Sequence, residues 1–307
     1  MNTFRACIIS CFALALTACG VAEFFIKRTI SNLEQKVASE IKQYAEFTPA
    51  QEQHIEQIAY GIASRVRAER LPLLVQHLEL IANEIEQQQH ISMESWRALT
   101  LFLESPIALS DKPEVIYSIA DLVYDLTPEQ RESTLAKVEE VYKKRLESLQ
   151  ESSAEERNDK LLKMTRNAFK ELGLSRSRAQ WKSARESLNE RESYLPLELE
   201  AARRNHANFV AILSTPSESR EAYRRAFLEV WKSAERPYRQ SAPQIWQKNF
   251  VVSYAMVTRL LHGVDADEAQ EAAYELREYA ALLTQLSWTG SQDELAFVDV
   301  ACRSRCW

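Results

Sequence analysis

The chain is poor in residues that break a helix. Its 307 residues include only 5 Gly and 9 Pro. An all-β fold uses both in its turns, so this scarcity speaks against one. Histidine is equally scarce, with 5 residues at positions 54, 77, 90, 206 and 262. None falls in His-Glu-x-x-His or another compact ligand spacing, so no metal is expected. Gly-x-Ser-x-Gly, Ser-x-x-Lys and glycine-rich phosphate loops are also missing, and no cofactor is implied. These absences favour a protein that binds rather than catalyses. Paired carboxylates could still meet in the fold, so a hydrolase stays open as the alternative.

Long apolar runs are missing too, except at the start. Residues 1–19 read MNTFRACIISCFALALTAC. Arg5 precedes an apolar run over 6–16, and small residues lead to a cysteine. That is the pattern of a secretory signal, too short for a membrane span. Its end, Leu16-Thr17-Ala18-Cys19, resembles the bacterial lipobox. The resemblance implies cleavage before Cys19, which would carry a diacylglyceryl group on sulfur and a further acyl chain on its amine. Several acyl chains anchor stably where one does not. Gly20 stands where lipoproteins held in the inner membrane often have Asp, so the resemblance favours the outer membrane, with the protein facing the periplasm. Residues 1–18 are then the signal peptide, 19–290 a helical domain and 291–307 a tail. An exported protein makes nucleic acid an improbable partner.

Apolar residues recur every three or four positions almost throughout, as in Leu135, Val138, Val141, Tyr142, Leu146 and Leu149. The expected fold is all-α, an elongated assembly of roughly nine helices. They are placed at 22–45, 49–88 with a bend at Pro72, 93–104, 113–124, 128–172, 176–213 with a kink at Pro196, 216–235, 243–262 and 266–287. The polar stretch ESSAEERNDK at 151–160 is expected to project into solvent within one long helix, because no Gly or Pro interrupts it. Gly173 is the natural stop for that helix.

Two helix starts are near copies: EFTPAQEQ at 46–53 and DLTPEQRE at 125–132. With Thr127 at the N-cap, Pro128 takes the first helical position, where a missing N–H costs nothing. Gln130 then reaches back to the cap N–H while Thr127 accepts from the Gln130 N–H, which is a capping box. Thr48, Pro49 and Gln51 repeat it. TPSE at 215–218 and DADE at 265–268 follow the same pattern, so capping explains all four.

FTPAQ and LTPEQ are similar to the Leu-Thr-x-x-Gln motif of the Spy-type periplasmic chaperones, small all-helical proteins that bind unfolded chains. Phe47 replaces Leu in the first copy. The chain more closely resembles a family of uncharacterised proteobacterial helical lipoproteins. The stretch EFFIKRTISNLEQKVASEIKQYAEFTPAQ, then RVRAERLPLL, carries that likeness. It extends towards ELGLSRSRAQW at 171–181, where a third helix start is taken to have lost the Thr and Gln. The resemblance implies an all-helical envelope protein and no defined activity.

Charge is uneven. Residues 174–262 carry 15 bases, 12 of them Arg, against 9 acids, while 263–307 carry 3 against 9. The basic block either pairs with acidic helices of the same chain or faces an anionic partner. Trp231, Arg236, Tyr238, Arg239 and Trp246 cluster there in sequence and are the candidate partner surface, since Trp, Tyr and Arg are enriched at interface hot spots. The expected partner is an envelope protein or an anionic envelope component. At the end of the chain, CRSRCW leaves Cys302 and Cys306 as the thiols of the mature protein. In an oxidising periplasm they are expected to pair in a tight non-helical turn. Two free thiols, or a bond to a second chain, are the alternatives.

Overall fold

A computed structural model describes residues 28–104, 109, 113–215 and 219–288. Cys19, the signal segment, Cys302 and Cys306 lie outside the described residues. The fold is all-α, with 85% helix and no strand among the described residues. Thirteen α-helices replace the expected nine. They are α1 Leu33–Lys42, α2 Pro49–Arg65, α3 Leu71–Gln88, α4 Met93–Glu104, α5 Pro113–Tyr124, α6 Pro128–Glu151, α7 Ala154–Glu171, α8 Arg178–Leu188, α9 Leu195–Ser214, α10 Arg220–Glu235, α11 Tyr238–Ser241, α12 Pro243–Leu261 and α13 Ala266–Trp288. Residues 28–31 add one helical turn before α1.

The differences from expectation have local causes. The helix expected over 128–172 is two helices, α6 and α7, broken at Ser152 and Ser153. Ser153 is an N-cap in extended conformation, and it forms a capping box with Glu156. The break therefore uses a Ser-x-x-Glu start, with neither Gly nor Pro. The helix expected over 176–213 is also two, α8 and α9. Pro196 sits in the first turn of α9, where it starts a helix instead of kinking one. Thr215 ends α9 and does not begin the next helix. Its N–H donates to Ala211 O, and Ser219 caps α10. The bend near Pro72 is a π turn, Val66–Arg70, in which the Leu71 N–H reaches back to Val66 O. Pro72 has no N–H to give the fourth residue before it, and the widened turn absorbs that loss.

Gly173 does stop α7. Its φ is +69°, the Leu174 N–H donates to Phe169 O at 2.8 Å, and the Gly173 N–H donates to Lys170 O at 3.1 Å. These are the two bonds of a Schellman motif. An alanine Cβ at 173 would also lie 2.5 Å from the Glu271 carboxyl carbon. Gly173→Ala should therefore cost about 1 kcal/mol, visible as a lower midpoint in urea unfolding with an unchanged slope.

The two Thr-Pro-x-Gln starts meet. Each is a complete capping box: the Gln51 N–H donates to Thr48 Oγ1 at 3.3 Å, and the Gln130 N–H to Thr127 Oγ1 at 3.2 Å. Each glutamine then crosses to the other start. Gln51 Nε2 donates to Asp125 O at 3.3 Å, and Gln130 Nε2 donates to Glu46 O at 2.7 Å. The two amides also exchange bonds, at 3.1 and 2.8 Å. A single side chain thus caps its own helix and ties down the chain entering the other.

A second pair of starts repeats half of this arrangement. Ser177 and Gln180 form a capping box at the start of α8, so this third start has kept its glutamine, contrary to expectation. Gln180 Nε2 donates to His262 O at 3.2 Å. His262 directly follows α12, as Asp125 directly follows α5. At α13, Asp265 accepts from the Glu268 N–H at 2.9 Å. Glu268 has no N–H on its side chain to donate across, and Arg176 donates to its carboxylate instead at 3.2 Å.

This correspondence runs through the whole fold. α2 packs on α5 as α8 packs on α12, α1 on α2 as α7 on α8, and α3 on α4 as α9 on α10. Between the halves, α13 packs on α3 as α6 packs on α9, and α5 on α10 as α12 on α4. The pairing of α1–α6 thus matches that of α7–α10, α12 and α13, with the short α11 having no counterpart, and each half closes its last helix onto the other. Leu71-Pro72-Leu73 and Leu195-Pro196-Leu197 open equivalent helices, α3 and α9. Because the halves interlock, they share one apolar core.

Candidate functional site

A cavity of about 660 Å³ lies between helices of both halves of the chain. That lies within the range of small-molecule sites, about 300–1,000 Å³. Its walls are the apolar faces of α3, α4, α12 and α13, with Leu78, Leu99, Met256 and Leu283 among them. Polar groups within the walls are already engaged. Ser253 Oγ accepts from Trp96 Nε1 at 3.3 Å and donates to Phe250 O at 2.8 Å, and Thr165 Oγ1 donates to Leu161 O at 3.0 Å. The Ser253 and Thr165 protons are therefore already donated, and the mainly apolar interior suits an apolar occupant.

The mouth lies along α1, where the lining residues are exposed, beside α7. Leu161, Thr165 and Leu172 of α7 are half-buried along it. Along α1, Gln35, Lys36 and Ser39 line the cavity and are exposed, as is Arg28 one turn before. Arg28, Lys36 and Glu40 are the charged residues at the cavity among those described. α1 is amphipathic and inserts Ile30, Leu33 and Val37 of this segment against the walls. One strong polar contact pins it. Arg67, in the π turn, pairs with both oxygens of Glu34 and donates to Ile30 O at 3.0 Å. Burial pushes the Glu34 carboxyl up, but the Arg67 guanidinium outweighs it and holds the group below its usual range. The π turn thus serves the site twice, since Val66 beside Arg67 lines the cavity.

The corresponding helices α5, α9 and α10 are packed by aromatic side chains. Tyr124 of α5 meets Tyr223 of α10 edge-on at 5.4 Å, and Phe227 joins Phe209 of α9 and Trp231 at 6.1 and 6.2 Å. Aromatic side chains occupy there the space that leucines leave open on α4.

The residues expected to form a partner surface are divided. Trp231 and Trp246 are both only 8% exposed and belong to the packing. Trp246 donates to Glu104 and stacks on Phe250 at 5.4 Å. Arg236 and Arg239 are exposed, and Tyr238 is half-buried against Tyr194. Burial pushes the Glu104 carboxyl up, opposed by Trp246 and by Arg239 at 3.9 Å. Much of the basic block pairs within the chain. Arg224 and Arg220 of α10 bind Asp121 and Asp125 at 2.5 Å, and Arg185 binds Asp159 at 2.7 Å. Among the described residues no group of His, Cys, Asp and Glu is placed to hold a metal, and no helix is long and apolar enough to cross a membrane.

The chain matches no protein-family model, no curated protein and no solved structure.

Proposed function

We propose that this chain is a lipid-tethered, non-enzymatic protein of the bacterial envelope that holds an apolar chain in the cavity between α1 and α7. The cavity carries the proposal: about 660 Å³ lined mainly by apolar side chains, with its charged groups only where α1 borders the mouth. The lipobox-like end at Cys19 supports an acyl anchor, with the outer membrane favoured by Gly20. Attachment at a membrane would hold the mouth near a supply of amphiphiles. In this scheme Cys302 and Cys306 pair as a disulfide. A hydrolase acting at this cavity would need converging acids or a histidine. Glu40 is the one acid lining it among the described residues.

Extraction of the full-length protein from membranes into organic solvent tests the proposal. About one long-chain amphiphile per protein should be released, beyond the covalently bound acyl groups. The emptied protein should then bind a polarity-sensitive fluorophore saturably. Failure of both measurements overturns the proposal.

A further inference from the structure

Resting on that function, we infer that the ligand is a long-chain fatty acid whose carboxylate sits at the Arg28 end of α1, with its single chain running into the cavity. The charges along the mouth are ordered. Lys36 Nζ reaches two turns back to Thr29 Oγ1, at 3.2 Å, next in sequence to Arg28. Side chains on a helix lean towards its N-terminus, so this direction is the natural one. Lys36 therefore brings its charge to the Arg28 end and away from Glu40, and no carboxylate described lies within salt-bridge distance of it. Glu34, the other nearby acid on α1, is fully engaged by Arg67. Lys36 thus places a cation at one end of the mouth, beside the Thr29 hydroxyl, and Glu40 an anion at the other. An anionic head with one acyl chain fits that order, and a cationic head would meet repulsion.

Volume selects one chain. At about 30 Å³ per methylene, similar to a water's share of liquid, sixteen carbons need about 480 Å³ and two such chains about 960 Å³. The cavity holds about 660 Å³. Ser253 and Thr165, inside it, already donate their protons to the protein.

Three photoreactive sixteen-carbon probes test the inference, each with a diazirine at the chain end and carrying a carboxylate, an alcohol or a trimethylammonium head. The full chain in nanodiscs is irradiated with each, and labelled peptides are mapped. The carboxylate probe should label α3, α12 or α13 most strongly. Lys36→Glu should weaken that labelling about tenfold, the effect of one local charge, while leaving the alcohol probe unchanged. Equal labelling by all three heads overturns the carboxylate assignment and leaves the apolar site standing. Cavity labelling by none of them, as when residues 20–27 of the chain itself fill the space, overturns the site together with the function on which it rests. Two-chain phosphatidylglycerol competing better than palmitate overturns the single-chain assignment.

Discussion

Leu99→Trp should abolish chain binding and leave the protein as stable as before, or more so. Core positions in a packed protein behave oppositely, since an enlarged side chain forces neighbours off their rotamers and costs about 1–3 kcal/mol. Leu99 lines the cavity, and the indole would project into unoccupied space. Filling part of that space should contribute about 1–2 kcal/mol to the empty protein. The same volume is then denied to the ligand, and affinity should fall at least about 100-fold, equivalent to about 2.7 kcal/mol. Leu228→Trp supplies the control. Leu228 is buried on α10, the helix corresponding to α4, where aromatic side chains already pack α5, α9 and α10. It should lose about 1–3 kcal/mol and keep its ligand affinity. Chemical unfolding and fluorophore titration on both variants decide the matter. If Leu99→Trp destabilises as much as Leu228→Trp, the cavity is not open space, and the binding function fails with it.

The contrast between those two leucines marks where sequence stops being informative. Helices α4 and α5 are legible to the residue, because their apolar spacing and flanking breakers agree. The caps at Thr48 and Thr127 are legible for the same reason, since a capping box is a local object. The break at Ser153 was equally local and was hidden only by the weight given to Gly and Pro as breakers. The cavity is different. Leu78, Leu99 and Met256 show the same periodicity as core residues that touch something, and periodicity reports which face is apolar but not whether a partner fills it. The correspondence between the two halves left real traces, in four similar starts and the two Leu-Pro-Leu sequences. They are 79 residues apart between Thr48 and Thr127 but 88 between Ser177 and Asp265, so no fixed period reveals them. Arg67 carries no signal at all until the π turn aims it at α1.

Gln51→Ala and Gln130→Ala should each cost about 2 kcal/mol, and together they should cost about 1 kcal/mol less than their sum. Each substitution removes the acceptor for a cap N–H and the donor for a carbonyl across the junction. A net hydrogen bond contributes about 0.5–1.5 kcal/mol, and a group left unsatisfied costs more, so two lost bonds give the single-variant figure. Loss at Gln130 should be the larger of the two, because it is only 8% exposed and water reaches the orphaned Glu46 carbonyl less easily. The coupling arises from the bonds the two amides exchange, which either substitution alone removes. Thr127→Ala, by contrast, should cost only about 1 kcal/mol, the ordinary effect of a lost cap. Gln130→Glu sharpens the test: a carboxylate cannot donate to Glu46 O, and no arginine stands where Arg176 stands beside Glu268. It should be at least as damaging as alanine near neutral pH. A cycle measured by urea unfolding that proved additive within about 0.3 kcal/mol would reduce Thr-Pro-x-Gln to two separate helix starts. The expected coupling makes it instead the joint that fastens the entry and exit of the α1–α6 half.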